Sequence, residues 1–286
     1  MRARAPASSA NLGPGFDVLA VALSLYVEVE VTAADRLQVT SSGQGAELPA
    51  DANHLAAQIA TEILGHDHLA IRIHSDIPVG RGLGSSAALA VASAAASGAS
   101  DPMAVGARID GHPENAAASV VGGLVAATAV GSRAVTRSLA LDAELRFVVA
   151  VPDRPLPTQE ARAVLPARVD HADARFNLGR LALVIAGLAD HRLLVQEAFE
   201  DRLHQGARSS LFPEAPAILA EMVAGGALGA CWSGAGPSLL GVATGSTAGT
   251  VKAAAEAALS RQDVPGRVLV LEADREGVTV VPGGDH

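Results

Sequence analysis

Apolar and polar positions alternate in some stretches of this chain and recur at helical spacing in others. In YVEVEV (26–31), Val27, Val29 and Val31 alternate with Tyr26, Glu28 and Glu30, the period of a half-buried strand. LQV (37–39) continues a meander, and LAIRIHSDIP (69–78) alternates again with Ile71 and Ile73 on one face. Helical spacing predicts helices over 54–64, over about 85–97 with Gly98 as the stop, and from Pro102 into IDGHPEN. Strands are predicted at about 121–129, 134–140 and 145–151, closing a first half. VPDRPLPT (151–158) holds three prolines and reads as a boundary, giving domains 1–150 and 151–286. Beyond it the pattern predicts helices at 158–164, 177–188, 192–203, 214–223 and 247–260, then the strands RVLVLE and GVTVV. The tail PGGDH is expected to fray. Strands and helices mix without regular βαβ alternation, so the fold class is α+β rather than a doubly wound sheet.

Composition narrows the classes. Of 286 residues 49% are hydrophobic, enough for a sizeable core, and only 2% are aromatic, so that core is built from Ala, Val and Leu. The net charge of −9 without a Lys/Arg block argues against a nucleic-acid partner. The uncharged stretches 82–100 and 115–132 are rich in Ala, Gly and Ser, unlike a membrane-spanning helix. The start MRARAPASSAN has no apolar signal core, and the expectation is a soluble cytoplasmic protein. The single cysteine, Cys231, excludes an internal disulfide and cannot build a zinc site alone, so core packing is expected for it and for Trp232.

The candidate chemistry starts at IPVGRGLGSSAA (77–88). Glycines before a helix let the backbone approach an anion, and the helix start offers unpaired N–H groups and partial positive charge. A Walker A loop would need Lys where Gly84 stands, and a dinucleotide fingerprint would need Gly where Ala87 stands. Taken alone the loop is either a phosphate cradle or a tight turn of small residues. In the first reading a side chain at Gly84 would obstruct phosphate.

Other segments favour the first reading. PASSANLGPGFD (6–17), the loop itself, GHPEN (111–115), LPTQEAR (156–162), EDRLHQGAR (200–208) and SGAGPS (233–238) follow in order. Together they resemble the GHMP kinases, small-molecule kinases acting on alcohols, and within them the homoserine-kinase branch. The resemblance runs from Pro6 to about Leu240. Isoprenoid-pathway members of the superfamily usually carry Lys near the start, where this chain has Ser8 and Ser9.

The resemblance implies a GHMP kinase fold: an N-terminal α+β domain like ribosomal protein S5 and a ferredoxin-like C-terminal domain, with ATP and substrate between them. It implies ATP and Mg2+, and L-homoserine phosphorylated on its side-chain hydroxyl in threonine biosynthesis. The alternatives are a kinase for another small alcohol or a catalytically silent nucleotide-binding relative, and a homodimer remains open. Pro78, Val79, Gly80, Arg81, Gly82, Leu83, Gly84, Ser85, Ser86 and Ala87, with Gly234, would bind the nucleotide. Ser86 and Asp110 would hold the metal. The family segment EGHPDN reads DGHPEN here, so the two carboxylates have exchanged lengths and Glu114 is the alternative ligand. His112 reads as shaping the turn rather than as a base. Asn11, Asp17 and Asn115 are the catalytic candidates. Asn115 stands where mevalonate kinases have an Asp base, so no general base is evident. Thr158, Arg162 and Arg208, with Asn11 and Asp17, would bind substrate, Arg202 and His204 being rivals of Arg208. Guanidinium groups suit a carboxylate, which a neutral alcohol lacks.

Overall fold

The computed structural model describes residues 1–131 and 133–281. The first part comprises β1 (Arg2–Asn11), β2 (Gly15–Ala33), β3 (Gln38–Gly43), α1 (Leu55–Leu64), β4 (Leu69–Ser75), α2 (Ser85–Ala96), α3 (Pro102–Asp110), α4 (Glu114–Val121), β5 (Leu124–Val130) and β6 (Arg133–Leu139). The second comprises β7 (Leu145–Pro152), α5 (Thr158–Ala163), α6 (His171–Ala189), α7 (Gln205–Arg208), α8 (Ala215–Ala224), β8 (Gly229–Trp232), β9 (Leu239–Thr244), α9 (Ala248–Arg261), β10 (Gly266–Leu271) and β11 (Thr279–Val281). The expected fraying of residues 282–286 lies outside the described residues.

The first sheet runs β11-β1-β2-β4-β3, with β5 on β2 and β6 on β5. Its spine is the β1–β2 hairpin, whose register shifts at Pro6/Ala7 and at Ala10/Asn11, where the hairpin turns. The Ala-rich run of the sequence is α2, with nine of its twelve residues buried. Small side chains let it lie close to the sheet and to α1, α3 and α4. Gly106 of α3 marks a close approach: a Cβ there would stand 2.8 Å from the Ala116 side chain and 2.9 Å from that of Val91.

The second sheet runs β10-β7-β9-β8, all antiparallel. The alternation of β7 sorts its residues between two cores. Phe147 and Val149 join Leu240 and Val242 in the core shared with the first sheet. Val148 and Ala150 pack with Leu239 and Ala243 beneath α8 and α9. Cys231 and Trp232 are fully buried, as expected.

Three expectations need correction. The strand at 145–151 does not close the first sheet: β7 lies between β10 and β9, and β11 returns to pair with β1. A division at 150/151 therefore does not follow sheet membership, because pairing partners distant in sequence decide it. The helix expected over 192–203 is instead two 3-10 turns, 191–193 and 196–199, joined by extended residues. There the carboxylate of Asp201 collects the N–H groups of Leu203, His204 and Gln205, a local alternative to helix bonds. Finally, α6 begins six residues before the predicted 177.

Candidate active site

The β1–β2 turn, the glycine loop, the α3–α4 junction, α5, α7 and the β8–β9 turn meet around one cavity of about 260 Å³. It is lined by Asn11, Asp17, Gly80, Gly82, Gly84, Ser85, Ser86, Asp110, Asn115, Thr158, Arg162, Arg208 and Gly234, so the tertiary fold gathers most of the sequence candidates.

The glycine loop enters α2 with Gly80, Gly82 and Gly84 at φ of 67°, 71° and 64°. Gly84 is the N-cap and carries no side chain to bond the first-turn amides, which suits an anion there. A Cβ on Gly84 would not point at that anion. It would stand 2.1 Å from Ser8 Oγ and 3.2 Å from Asn115 Oδ1, so the glycine is required by the floor beneath the loop rather than by phosphate. A Cβ on Gly82 would meet the Ser233 carbonyl at 2.3 Å. The loop is thus pressed between β1 and the β8–β9 turn, and Ser233 Oγ ties it through the Gly82 carbonyl at 2.7 Å.

Four loop residues do not face the cavity. Leu83 and Ala87 are buried in the core beneath it. Pro78 and Arg81 line a separate hollow with Asp153 and Arg267. The Arg81 guanidinium donates to the carbonyls of Val79, Pro152 and Asp153, so it fastens the loop to the end of β7 instead of reaching for phosphate.

At the β1–β2 turn Asn11, Leu12 and Gly13 all have positive φ, and so does Asp17. Asn11 bonds to the protein through both ends of its amide. Its Oδ1 accepts from the Asp17 amide at 3.0 Å, and its Nδ2 donates to the Gly234 carbonyl at 2.8 Å. It thereby presents Asp17, whose carboxylate takes a two-toothed ion pair from Arg162 at 2.7 and 3.1 Å.

Beneath the loop a polar chain runs from Ser8 Oγ to Asn115 Oδ1 (2.9 Å) and from Asn115 Nδ2 to Asp110 Oδ2 (3.0 Å). Burial pushes the Asp110 carboxyl above the usual range. His112 lies 3.0 Å from Glu114, which raises its pKa and favours the imidazolium, a poor base. The Glu114 side chain is buried, and its Oε2 has no hydrogen-bond partner among the described residues. A buried carboxylate oxygen left unpaired is costly, and a cation in the cavity would relieve that cost. Asp17, His112 and Glu114 bring ligand-type atoms within 4.8 Å of one another. The oxygens of Glu114, Asp110 and Ser86 are hard donors of the kind magnesium takes.

Arg208 is buried, and burial lowers its pKa to about 10. Its guanidinium lies 5.5 Å over the Phe16 ring, with that of Arg162 at 5.6 Å. Of its rivals, Arg202 pairs with Asp173 away from the cavity, and His204 touches Arg208 itself. Leu156, Pro157 and Ala235 also line the cavity. They lie in the segments LPTQEAR and SGAGPS, but they carry no sequence signal of their own.

A glycine loop and two guanidiniums share one cavity between the two halves of the fold, the arrangement expected of a small-molecule kinase. The chain matches the GHMP kinases N terminal domain over residues 51–123 and the GHMP kinases C terminal domain over residues 183–261. It is 35% identical to the homoserine kinase of Desulfitobacterium hafniense, over 98% of this chain and 100% of that one. It is 38% identical to the homoserine kinase of Streptomyces coelicolor, over 99% and 94%. Among solved structures it resembles a homoserine kinase from Cytophaga hutchinsonii, with a TM-score of 0.85, 26% identity and coverage of 98% and 97%. The L. major mevalonate kinase gives a TM-score of 0.67 at 16% identity over 97% of each chain, a likeness of fold alone. The chain belongs to the homoserine kinase family of GHMP kinases.

Proposed function

We propose that this chain transfers the γ-phosphoryl group of ATP to the side-chain hydroxyl of L-homoserine, giving O-phospho-L-homoserine and ADP, a step of threonine biosynthesis. The observation that carries this reading is the guanidinium pair Arg162 and Arg208 in the same cavity as the glycine loop. Family membership supports it. Nε and Nη1 of Arg208 bond to protein acceptors, and its Nη2 makes no bond to a described residue, so Nη2 is aimed to serve a carboxylate. Asp17, held by Asn11, offers an acceptor for the ammonium. The loop amides and Ser85 would take the phosphates. Ser86, Asp110 and Glu114 are the residues we assign to magnesium. The ion would neutralise charge between the β- and γ-phosphates.

In the transfer the hydroxyl oxygen bonds to the γ-phosphorus, the bond to the β–γ bridging oxygen breaks with its electron pair leaving on ADP, and the hydroxyl proton passes late to an oxygen of the transferred phosphoryl group. Asn115 cannot take that proton, being an amide already committed to Ser8 and Asp110. A loose transition state needs positioning and charge neutralisation more than a base. Alignment supplies roughly 7–11 kcal/mol of barrier reduction. A coupled ADP-release assay across L-homoserine, mevalonate, galactose and shikimate tests the reading. L-homoserine is expected to give the highest kcat/KM. Equal rates with an acceptor lacking a carboxylate would refute it, and no turnover with any would favour a silent nucleotide-binding protein.

A further inference from the structure

His204 is buried directly behind the substrate end of the cavity. Its ring stacks on Phe16 with centroids 5.1 Å apart. Nδ1 lies 2.9 Å from Arg208 Nη1, and Nε2 lies 2.8 Å from the Gly13 carbonyl oxygen. These partners fix the tautomer. A guanidinium only donates, so Nδ1 is the acceptor; a carbonyl only accepts, so Nε2 carries the hydrogen. The ring is therefore neutral. Asp201 does not change this. It lies 3.8 Å from Nε2, and its oxygens already accept from Asn177 Nδ2 and three backbone amides.

An arginine bearing substrate must keep its free edge aimed. Three protein acceptors hold Arg208: the Ala161 carbonyl at 3.4 Å, the Gly234 carbonyl at 2.8 Å and His204 Nδ1. Nη1 has two hydrogens, one for Gly234 and one for His204, which leaves both hydrogens of Nη2 for ligand. The Gly13 carbonyl that locks His204 belongs to the same turn that sets Asn11 and Asp17. The substrate-facing arginine and aspartate are thus registered to one another through an imidazole.

We infer that His204 is the positioning residue for substrate: as a neutral acceptor at Nδ1 it aims the Arg208 guanidinium at the carboxylate of the acceptor alcohol and sets carboxylate specificity. This deepens the kinase reading above and rests on it. The role lies in binding geometry and not in proton transfer.

The test compares L-homoserine with 3-aminopropan-1-ol, which keeps the hydroxyl and ammonium but lacks the carboxylate. His204→Asn places an amide oxygen where Nδ1 stands, and His204→Gln instead places its amide near Nε2. His204→Gln is expected to raise the L-homoserine KM roughly tenfold, the effect of one lost charge-assisted contact. The KM for ATP and for 3-aminopropan-1-ol, and kcat, should stay within about two- to threefold on the same warrant. His204→Asn should restore a near-wild-type KM. In an Arg208→Ala background His204→Gln should add nothing. Equal loss with both acceptors, additivity with Arg208→Ala, or failure of His204→Asn to restore KM would overturn the inference. If thermal melting shows His204→Gln unfolded, His204→Asn decides: a retained carboxylate preference supports it and a lost one overturns it. Arg208→Ala leaving the L-homoserine KM unchanged would defeat the clamp itself, a failure visible without any His204 variant.

Discussion

Gly84→Ala adds one methyl group at the entrance to α2, and its effect can be worked from the geometry beneath it. The position has φ of 64°, which costs an alanine about 1–2 kcal/mol. The new carbon would stand 2.1 Å from Ser8 Oγ, which must turn away and abandon its 2.9 Å bond to Asn115. Leaving a buried amide oxygen unpaired costs about 1–3 kcal/mol. The sum is about 2–5 kcal/mol, large for one methyl on a loop. Ser8→Ala alone removes only the hydrogen bond, about 1–3 kcal/mol. In the double variant the oxygen that clashed is gone, and the nearest remaining atoms are Asn115 Oδ1 at 3.2 Å, a tight contact that a shift of a few tenths of an ångström relieves, and Ser8 Cβ at 3.4 Å. The double variant should therefore be about as stable as Gly84→Ala, with a coupling of about 1–3 kcal/mol. Urea denaturation of the four proteins measures this, and ATP affinity should fall in parallel for both Gly84 variants. Strict additivity, or Gly84→Ala within about 0.5 kcal/mol of wild type, would refute the packing account.

Three further outcomes are expected. Arg162→Ala should raise the L-homoserine KM roughly ten- to a hundredfold while ATP binding holds, because a charge-assisted contact is lost; a change confined to ATP would reassign Arg162 to the phosphates. Asp110→Asn and Glu114→Gln should each raise the magnesium concentration needed for half-maximal turnover, while Asp110→Glu, which restores the family's side chain, should retain activity; unaltered magnesium dependence in both neutralised variants would remove the acidic pair from the metal. Burial holds His204 down to about 4, so the unfolded chain protonates it first as pH falls. The stability this contributes is present above about 6.5 and is lost progressively down to about 4. His204→Asn should flatten the acid side of the stability curve in that window, and parallel wild-type and variant curves in urea titrations would contradict the assignment.

The sequence by itself determined the local chemistry. Period-two alternation placed β4 and the outer half of β2, and the Gly-Ser-Ser entrance and Ala run placed α2, because these depend on neighbours a few residues away. Six short segments in order were enough to reach the family, since together they match its residue types and order even with the two carboxylates of DGHPEN exchanged in length. What only the tertiary structure decided were relations between segments. The bonds joining Asn11 to Gly234, Ser8 to Asn115 and Arg162 to Asp17 span 223, 107 and 145 residues. No periodicity encodes such distances. Arg81 sits in the glycine loop by sequence, yet in space it faces the carbonyls ending β7, since the loop turns its side chain outward. The segment at 145–151 reads as one more strand of the first half, and it joins the second sheet because β9 and β10 offer its hydrogen-bond partners. Side-chain direction and strand pairing are settled by packing across the whole chain, and packing becomes legible only once the distant segments are in contact.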